Sequence, residues 1–260
     1  MISRSLLVLA LGWLIACSDA GMPGASAQQT DGMSQEEFDA KLRDAFDRNP
    51  ELIIEAIEAY RTRLQANAAA ASEEMAAELL PTLTQAESGH AIGASTNEAD
   101  IVIIEFFDYH CGFCKRAMEE VLEVSEENPK IRVVFQELPI LRRESHDAAK
   151  VAIAASLLKD ENAYLSVHKA LMQAGGVLDD KRIEKSLKRA GVSATAIADA
   201  QEQYADEIEQ RLERSTSRAK RLGVGGTPYF IVARPATGEL RVVEGFREDT
   251  IADLVKEISG

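Results

Sequence analysis

The sequence predicts an α/β domain that carries a helical insertion and is preceded by a helical extension. Three observations predict it. An apolar, β-branched run from Asp100 to Phe107 leads through a Cys-x-x-Cys turn into an amphipathic stretch and a second strand-like run. The segment from Ser145 to about Leu222 then reads as helix almost throughout, before two strands and a closing helix. Upstream, apolar residues recur at helical spacing between Phe38 and Leu64. With 260 residues, 46% hydrophobic and 28% charged, the chain has the composition of an ordinary globular protein with room for one large domain plus an extension.

The first residues read as an export signal and tether, residues 1–27, rather than as part of the fold. Arg4 supplies a positive start, and Leu6 to Ala16 is an uncharged apolar run, too short to span a bilayer but of signal length. Two processing sites compete. Leu14-Ile15-Ala16-Cys17 has the form of a lipoprotein signal, which would lipidate Cys17. Ala25-Ser26-Ala27 has the form of an ordinary cleavage site, which would discard it. The lipoprotein form abuts the apolar run and is the expectation adopted. Either way the protein is expected in the periplasm or cell envelope, with Cys111 and Cys114 as its remaining thiols in an oxidising compartment.

The extension is expected over residues 28–85. Ser34 with Glu37 makes a capping box, and Phe38, Leu42 and Phe46 follow at steps of four. Pro50 suits the start of a second helix, in which Ile53, Ile57, Tyr60 and Leu64 draw an apolar stripe. An Ala-rich stretch continues to Pro81, which should end or kink the helix. Such a stripe needs a partner. It could fold back on its own domain, or pack against copies of itself as an oligomerisation segment; the second is the expectation adopted.

The domain proper is expected over residues 86–260. Asp100 to Phe107 reads as a buried central strand with one acid, Glu105, inside it. Lys115 to Glu127 is an amphipathic helix, and Ile131 to Phe135 a second strand. The insertion, about 145–222, is punctuated at Gly175-Gly176 and Gly191. Pro228 to Val232 and Leu240 to Val243 read as a hairpin around Pro235 and Gly238, and Glu248 to Ile258 as the last helix.

Two cysteines three apart at the start of a helix form a redox pair. Unpaired N–H groups and the helix dipole favour an anion on the first, Cys111, lowering its pKa to between about 3.5 and 7.5. That thiolate would attack a disulfide, and Cys114 would resolve the mixed disulfide. Gly112 and Phe113, between them, would tune the pair and meet substrate. Half a zinc site looks the same, but zinc needs about four ligands. The chain offers this pair and four scattered histidines, so neither metal nor other cofactor is expected. The net charge of −14 and pI near 4.8 disfavour nucleic acid as a partner.

Glu105-Phe-Phe-Asp-Tyr-His-Cys-Gly-Phe-Cys-Lys115 resembles the active-site segment of the DsbA-like thioredoxin-fold oxidoreductases. Phe135-Gln-Glu-Leu-Pro-Ile-Leu141 and Gly223-Val-Gly-Gly-Thr-Pro-Tyr-Phe230 resemble two further segments of that family, in the same order. The resemblance implies a thioredoxin-like fold with a helical insertion. It implies that Pro228 is a cis-proline facing Cys111, with Thr227 before it offering backbone to substrate. It implies that Glu105 is a buried acid serving Cys114 through water. His110 would either stabilise the thiolate when protonated or cap the turn. The Gly112-Phe113 pair differs from the Pro-His of the prototypical oxidase, and Thr227 is more like the isomerase and reductase members. The extension resembles the stalk of the copper-sensitivity suppressor type. Together these imply a homo-oligomeric disulfide isomerase or reductase acting on unfolded or misfolded exported proteins, with a membrane redox partner. A dithiol oxidase and a copper(I)-handling thiol protein are the alternatives.

Overall fold

The computed structural model describes residues 33–85 and 89–259. The expected signal and tether, Cys17 included, lie outside the described residues. The chain falls into two units, one ending at Glu58 and the other beginning at Ala59.

In the first unit, α1 spans Gln35–Arg48 and opens on the capping box read from the sequence. The Glu37 N–H donates to Ser34 Oγ at 3.2 Å, and the Ser34 N–H to Glu37 Oε2 at 3.2 Å. Asn49 closes α1, and α2 (Glu51–Leu83) begins directly after Pro50. Phe38, Leu42, Phe46, Ile53 and Ile57 are all exposed, as are Tyr60 and Leu64 further along α2.

The second unit is built on a sheet ordered β1-β3-β2-β4-β5, where β1 is His90–Gly93, β2 Ile101–Phe107, β3 Ile131–Glu137, β4 Tyr229–Arg234 and β5 Glu239–Glu244. The central strands β2 and β3 run parallel, joined by α3 (Gly112–Glu127), and every residue of both is buried. The other pairings are antiparallel. Strand β1 escapes sequence reading because four residues, one of them His90 and one Gly93, carry too little alternation to register. The insertion supplies α4 (Arg143–Ser156), α5 (Ala163–Met172), α6 (Asp180–Ala190), α7 (Ala194–Gln203) and α8 (Ala205–Leu222). Gly191 and Gly223 end α6 and α8 at positive φ, the left-handed cap that glycine adopts without a Cβ clash. Helix α9 (Thr250–Ser259) closes the chain.

Alternation along β2 divides the core in two. Ile101, Ile103 and Phe107 pack with Ala117, Met118 and Val121 of α3 and with the insertion. Val102, Ile104 and Phe106 face the other way, against Ala219 and Leu222 of α8 and against Ala76, Leu79, Leu80 and Leu83 of α2. The extension expected to end near residue 85 therefore gives its last turns to the core of the domain that follows it. Pro81 does not stop α2, which runs on to Leu83. It lies in the final turn, where the missing N–H costs a single helical bond and burial of Leu83 outweighs it.

Candidate active site

The site forms where β2 hands over to α3. Cys111 is the N-cap of α3, with extended φ and ψ of −73° and 114°. Its sulfur takes the place of the usual capping oxygen, accepting the Cys114 N–H at 3.3 Å. The pair stands as two free thiols. The hydrogen bond from the Cys114 side chain brings Cys111 down to about 6, against burial, which pushes the other way; Thr227 and the backbone N–H groups of Cys114 and Phe113 add to the lowering. Cys114, one turn inside and fully buried, moves in the opposite direction. Burial and the hydrogen bond to Cys111 hold its thiol far above the ordinary value.

Across from α3, the peptide bond between Thr227 and Pro228 is cis, as the resemblance implied. The Thr227 carbonyl accepts the Cys111 thiol at 3.1 Å. Three candidates 116 residues apart or less along the chain thus meet at one sulfur. The Pro228 carbonyl is taken by the Gly245 N–H at 2.8 Å, which ties the loop to the end of β5.

Glu105 lies in the middle of β2, between Phe135 of β3 and Phe230 of β4. Neither carboxyl oxygen has a hydrogen-bond partner, and burial, followed by the charge of Cys111, pushes the group up to about 8. Phe113 is half exposed, with the Arg116 guanidinium 4.4 Å from its ring centre. At Gly112 an added Cβ would meet nothing within 4 Å, so packing does not demand glycine there.

His110 is engaged with the turn. Its Nδ1 lies 2.8 Å from Ser145 Oγ, and its Nε2 accepts the Leu178 N–H at 2.9 Å. Since Nε2 accepts, the proton of the neutral ring sits on Nδ1. Burial lowers its pKa further. Asp108 organises the same turn: Oδ1 accepts from the His110 N–H and from Ser145 Oγ, both at 2.7 Å, and Oδ2 from the Leu141 N–H at 2.9 Å. Lys115 Nζ donates to the Ala174 carbonyl.

Sequence reasoning missed a second buried polar group beneath the turn. Glu137 Oε1 accepts Tyr109 OH at 3.1 Å and Tyr164 OH at 2.9 Å, and Tyr109 OH also lies 3.1 Å from His168 Nδ1. An acid ending the apolar run Ile131 to Glu137 was the available signal, the same one that flagged Glu105. Among the described residues, no group of three or more His, Cys, Asp or Glu could hold a metal ion.

A thiol poised at a helix N-terminus, a buried second thiol and a cis-proline loop define a thioredoxin-fold dithiol site. Residues 102–256 match the model of the DSBA-like thioredoxin domain, and the chain belongs to that family of thiol-disulfide oxidoreductases. A thioredoxin-like oxidoreductase from Silicibacter pomeroyi is 30% identical, with a TM-score of 0.58 over 67% of this chain and 94% of that one. The thiol-disulfide exchange protein alpha-DsbA2 from Wolbachia pipientis is 26% identical, with a TM-score of 0.63 over 72% and 94%. ScsC from Proteus mirabilis, in a transitional conformation, is 25% identical, with a TM-score of 0.60 over 87% and 97%. The Na(+)/H(+) antiporter NhaA 1 of Salinispora arenicola is 28% identical over 137 residues, 52% of this chain but 20% of that protein, so this chain spans a fifth of that relative's length.

Proposed function

We propose that the protein is an envelope disulfide isomerase or reductase that works on misfolded exported proteins as a homo-oligomer. The observation that carries the chemistry is the Cys111 sulfur at the start of α3, accepting the Cys114 N–H at 3.3 Å. At neutral pH a thiol with a pKa near 6 is mainly thiolate. That thiolate attacks one sulfur of a substrate disulfide, forming a mixed disulfide and releasing the other sulfur as thiolate. In isomerisation, a second substrate thiolate attacks the mixed disulfide and frees Cys111. In reduction, Cys114 loses its proton, attacks Cys111 Sγ and releases the substrate thiolate, leaving the enzyme oxidised for a membrane partner to reduce.

Glu105 is suited to take the Cys114 proton. The charge on Cys111 is part of what keeps Glu105 protonated, and the mixed disulfide removes that charge. The carboxyl therefore ionises more readily at the stage when Cys114 must be deprotonated. Thr227, before the cis-proline, offers its backbone to an extended substrate beside the sulfur.

Support for the isomerase direction comes from the extension. Phe38, Leu42, Phe46, Ile53 and Ile57 leave an exposed apolar stripe, and the similarity to ScsC extends over most of both chains. Copies joined through that stripe would present more than one reactive sulfur to a scrambled substrate. The test is refolding of a scrambled multi-disulfide protein by the intact chain and by a Phe46→Lys, Ile57→Lys variant, with sedimentation to count subunits. The expected result is an oligomer that restores native pairing and a monomeric variant that oxidises or reduces but does not reshuffle. Equal, weak reshuffling by both, with rapid oxidation of reduced substrate, would make the protein a dithiol oxidase instead.

A further inference from the structure

The loop that carries the cis-proline has little packing of its own. At Gly225 and Gly226 an added Cβ would meet nothing within 4 Å. A stretch so bare does not fix where Thr227 stands; its two ends do.

Both ends rest on the last turns of α2. Before the loop, Ala219 and Leu222 of α8 are buried in one cluster with Ala76, Leu79, Leu80 and Leu83, and Val224 packs against that cluster. Arg221, at the same end of α8, donates from Nη2 to Glu78 Oε1 of α2 at 2.7 Å, across 143 residues of chain. After the loop, Tyr229 follows Pro228 directly. It is wholly buried in the same cluster, its ring edge-on to Phe106 at 6.1 Å. Burial pushes the Tyr229 phenol up to about 12, against the Ser72 hydroxyl of α2, which lies close enough to lower it but outside full hydrogen-bond geometry.

The place of Thr227 matters to the reaction, because its carbonyl stands 3.1 Å from Cys111 Sγ. Main-chain pairing with an extended peptide is directional and weakens steeply once the N–H···O angle closes. A glycine loop displaced at either end carries Thr227 with it. We infer, resting on the thiol-disulfide reading above, that Ser72 to Leu83 of α2 is the positioning element of the cis-proline loop, with Leu79 and Glu78 holding Thr227 in register for a peptide bonded to Cys111. The extension thus serves the site of its own chain, whatever its contacts with copies. Its effect falls on substrates that pair through their backbone and spares small disulfides, which have no backbone to offer.

The test uses the intact, reduced chain in single turnover, with an excess of a short peptide whose cysteine carries 5-thio-2-nitrobenzoate. Cys111 Sγ bonds to the peptide sulfur, and the yellow 5-thio-2-nitrobenzoate anion leaves with the electron pair. Leu79→Ala loosens the seat of α2. Ile197→Ala removes a similar buried side chain from α7, in the insertion, and serves as the control for a merely weakened fold. Leu79→Ala should raise the half-saturating peptide concentration about 3- to 10-fold, the loss of roughly one main-chain hydrogen bond, and Ile197→Ala should leave it in place. Both should keep the native rate with bis(2-hydroxyethyl) disulfide. Glu78→Arg should raise the half-saturating concentration about 2- to 5-fold, and adding Arg221→Glu should restore it. That pair is exposed and contributes little to folding, so it gives a reading even if Leu79→Ala fails to fold.

A half-saturating concentration raised equally by Leu79→Ala and Ile197→Ala, or by neither, would overturn the inference, as would a charge reversal that the second substitution does not repair. Slowing of bis(2-hydroxyethyl) disulfide in the same proportion as the peptide would place the effect on the sulfur rather than the loop, and would overturn it too. So would a rise that accompanies a change in subunit number on sedimentation, which belongs to assembly. If the native chain does not react with bis(2-hydroxyethyl) disulfide at all, the thiol-disulfide reading itself falls, a result told apart from every outcome of the substitutions.

Discussion

Cys111 and Glu105 respond to pH in opposite senses, and each can be followed separately. Alkylation of Cys111 by iodoacetamide should rise to half its maximum near pH 6, where the thiolate forms, rather than near the 9.0 of an ordinary thiol. A midpoint above 8 would remove the argument from the helix start. Glu105 titrates near 8 in the folded protein against 4.5 in an unperturbed chain. Between those values the folded state holds a proton that the unfolded state has lost, so stability falls as the pH rises through that window. A Glu105→Gln variant lacks this loss. Its thermal midpoint should match that of the native protein below pH 4.5 and exceed it by a growing margin up to about pH 8, more so in the reduced form. A constant difference across that range would show that Glu105 is not buried alone. The same substitution removes the proton acceptor, and resolution by Cys114 should slow by roughly 10².

Helix α2 is one element with two fates, and its ends should respond differently to the same substitution. Leu83 is fully buried against β2 and β4, while Ile57 is exposed. In urea unfolding of the reduced protein, Leu83→Ala should cost about 2–5 kcal/mol and Ile57→Ala less than about 0.5 kcal/mol, measured at a concentration that keeps the chain monomeric. Comparable losses would mean that the two ends are equally packed. The sequence made the helix legible but not this division, because an apolar stripe looks the same whether a sheet or another chain covers it. Local signals carried well: the Ser34 box, the Cys111 cap and the left-handed glycines all act within a few residues. What stayed hidden was settled by distance. The Asp108, His110, Ser145 and Leu178 clasp joins positions 35 and 68 residues apart, and the Tyr109, Glu137 and Tyr164 group joins positions 28 and 27 apart. No spacing rule reaches that far; only the strand order and the return of the insertion bring them together.

At the scale of the whole molecule, the parts divide the labour of disulfide exchange. The parallel pair β2 and β3 fixes the turn, α3 lowers the first thiol, β4 brings in the Thr227 carbonyl, and the insertion walls the site from one side. The exposed apolar stripe of the extension is the surface proposed above for contact between copies, and a net charge of −14 keeps the chain well solvated. All of this rests on one claim, that Cys111 attacks and Cys114 resolves. The most direct test expresses the intact Cys114→Ser chain in the envelope and separates its adducts without reductant. The account predicts mixed disulfides with exported proteins, linked through Cys111, released by dithiothreitol and absent from Cys111→Ser. Adducts formed instead by Cys111→Ser through Cys114, or none from either variant, would contradict it.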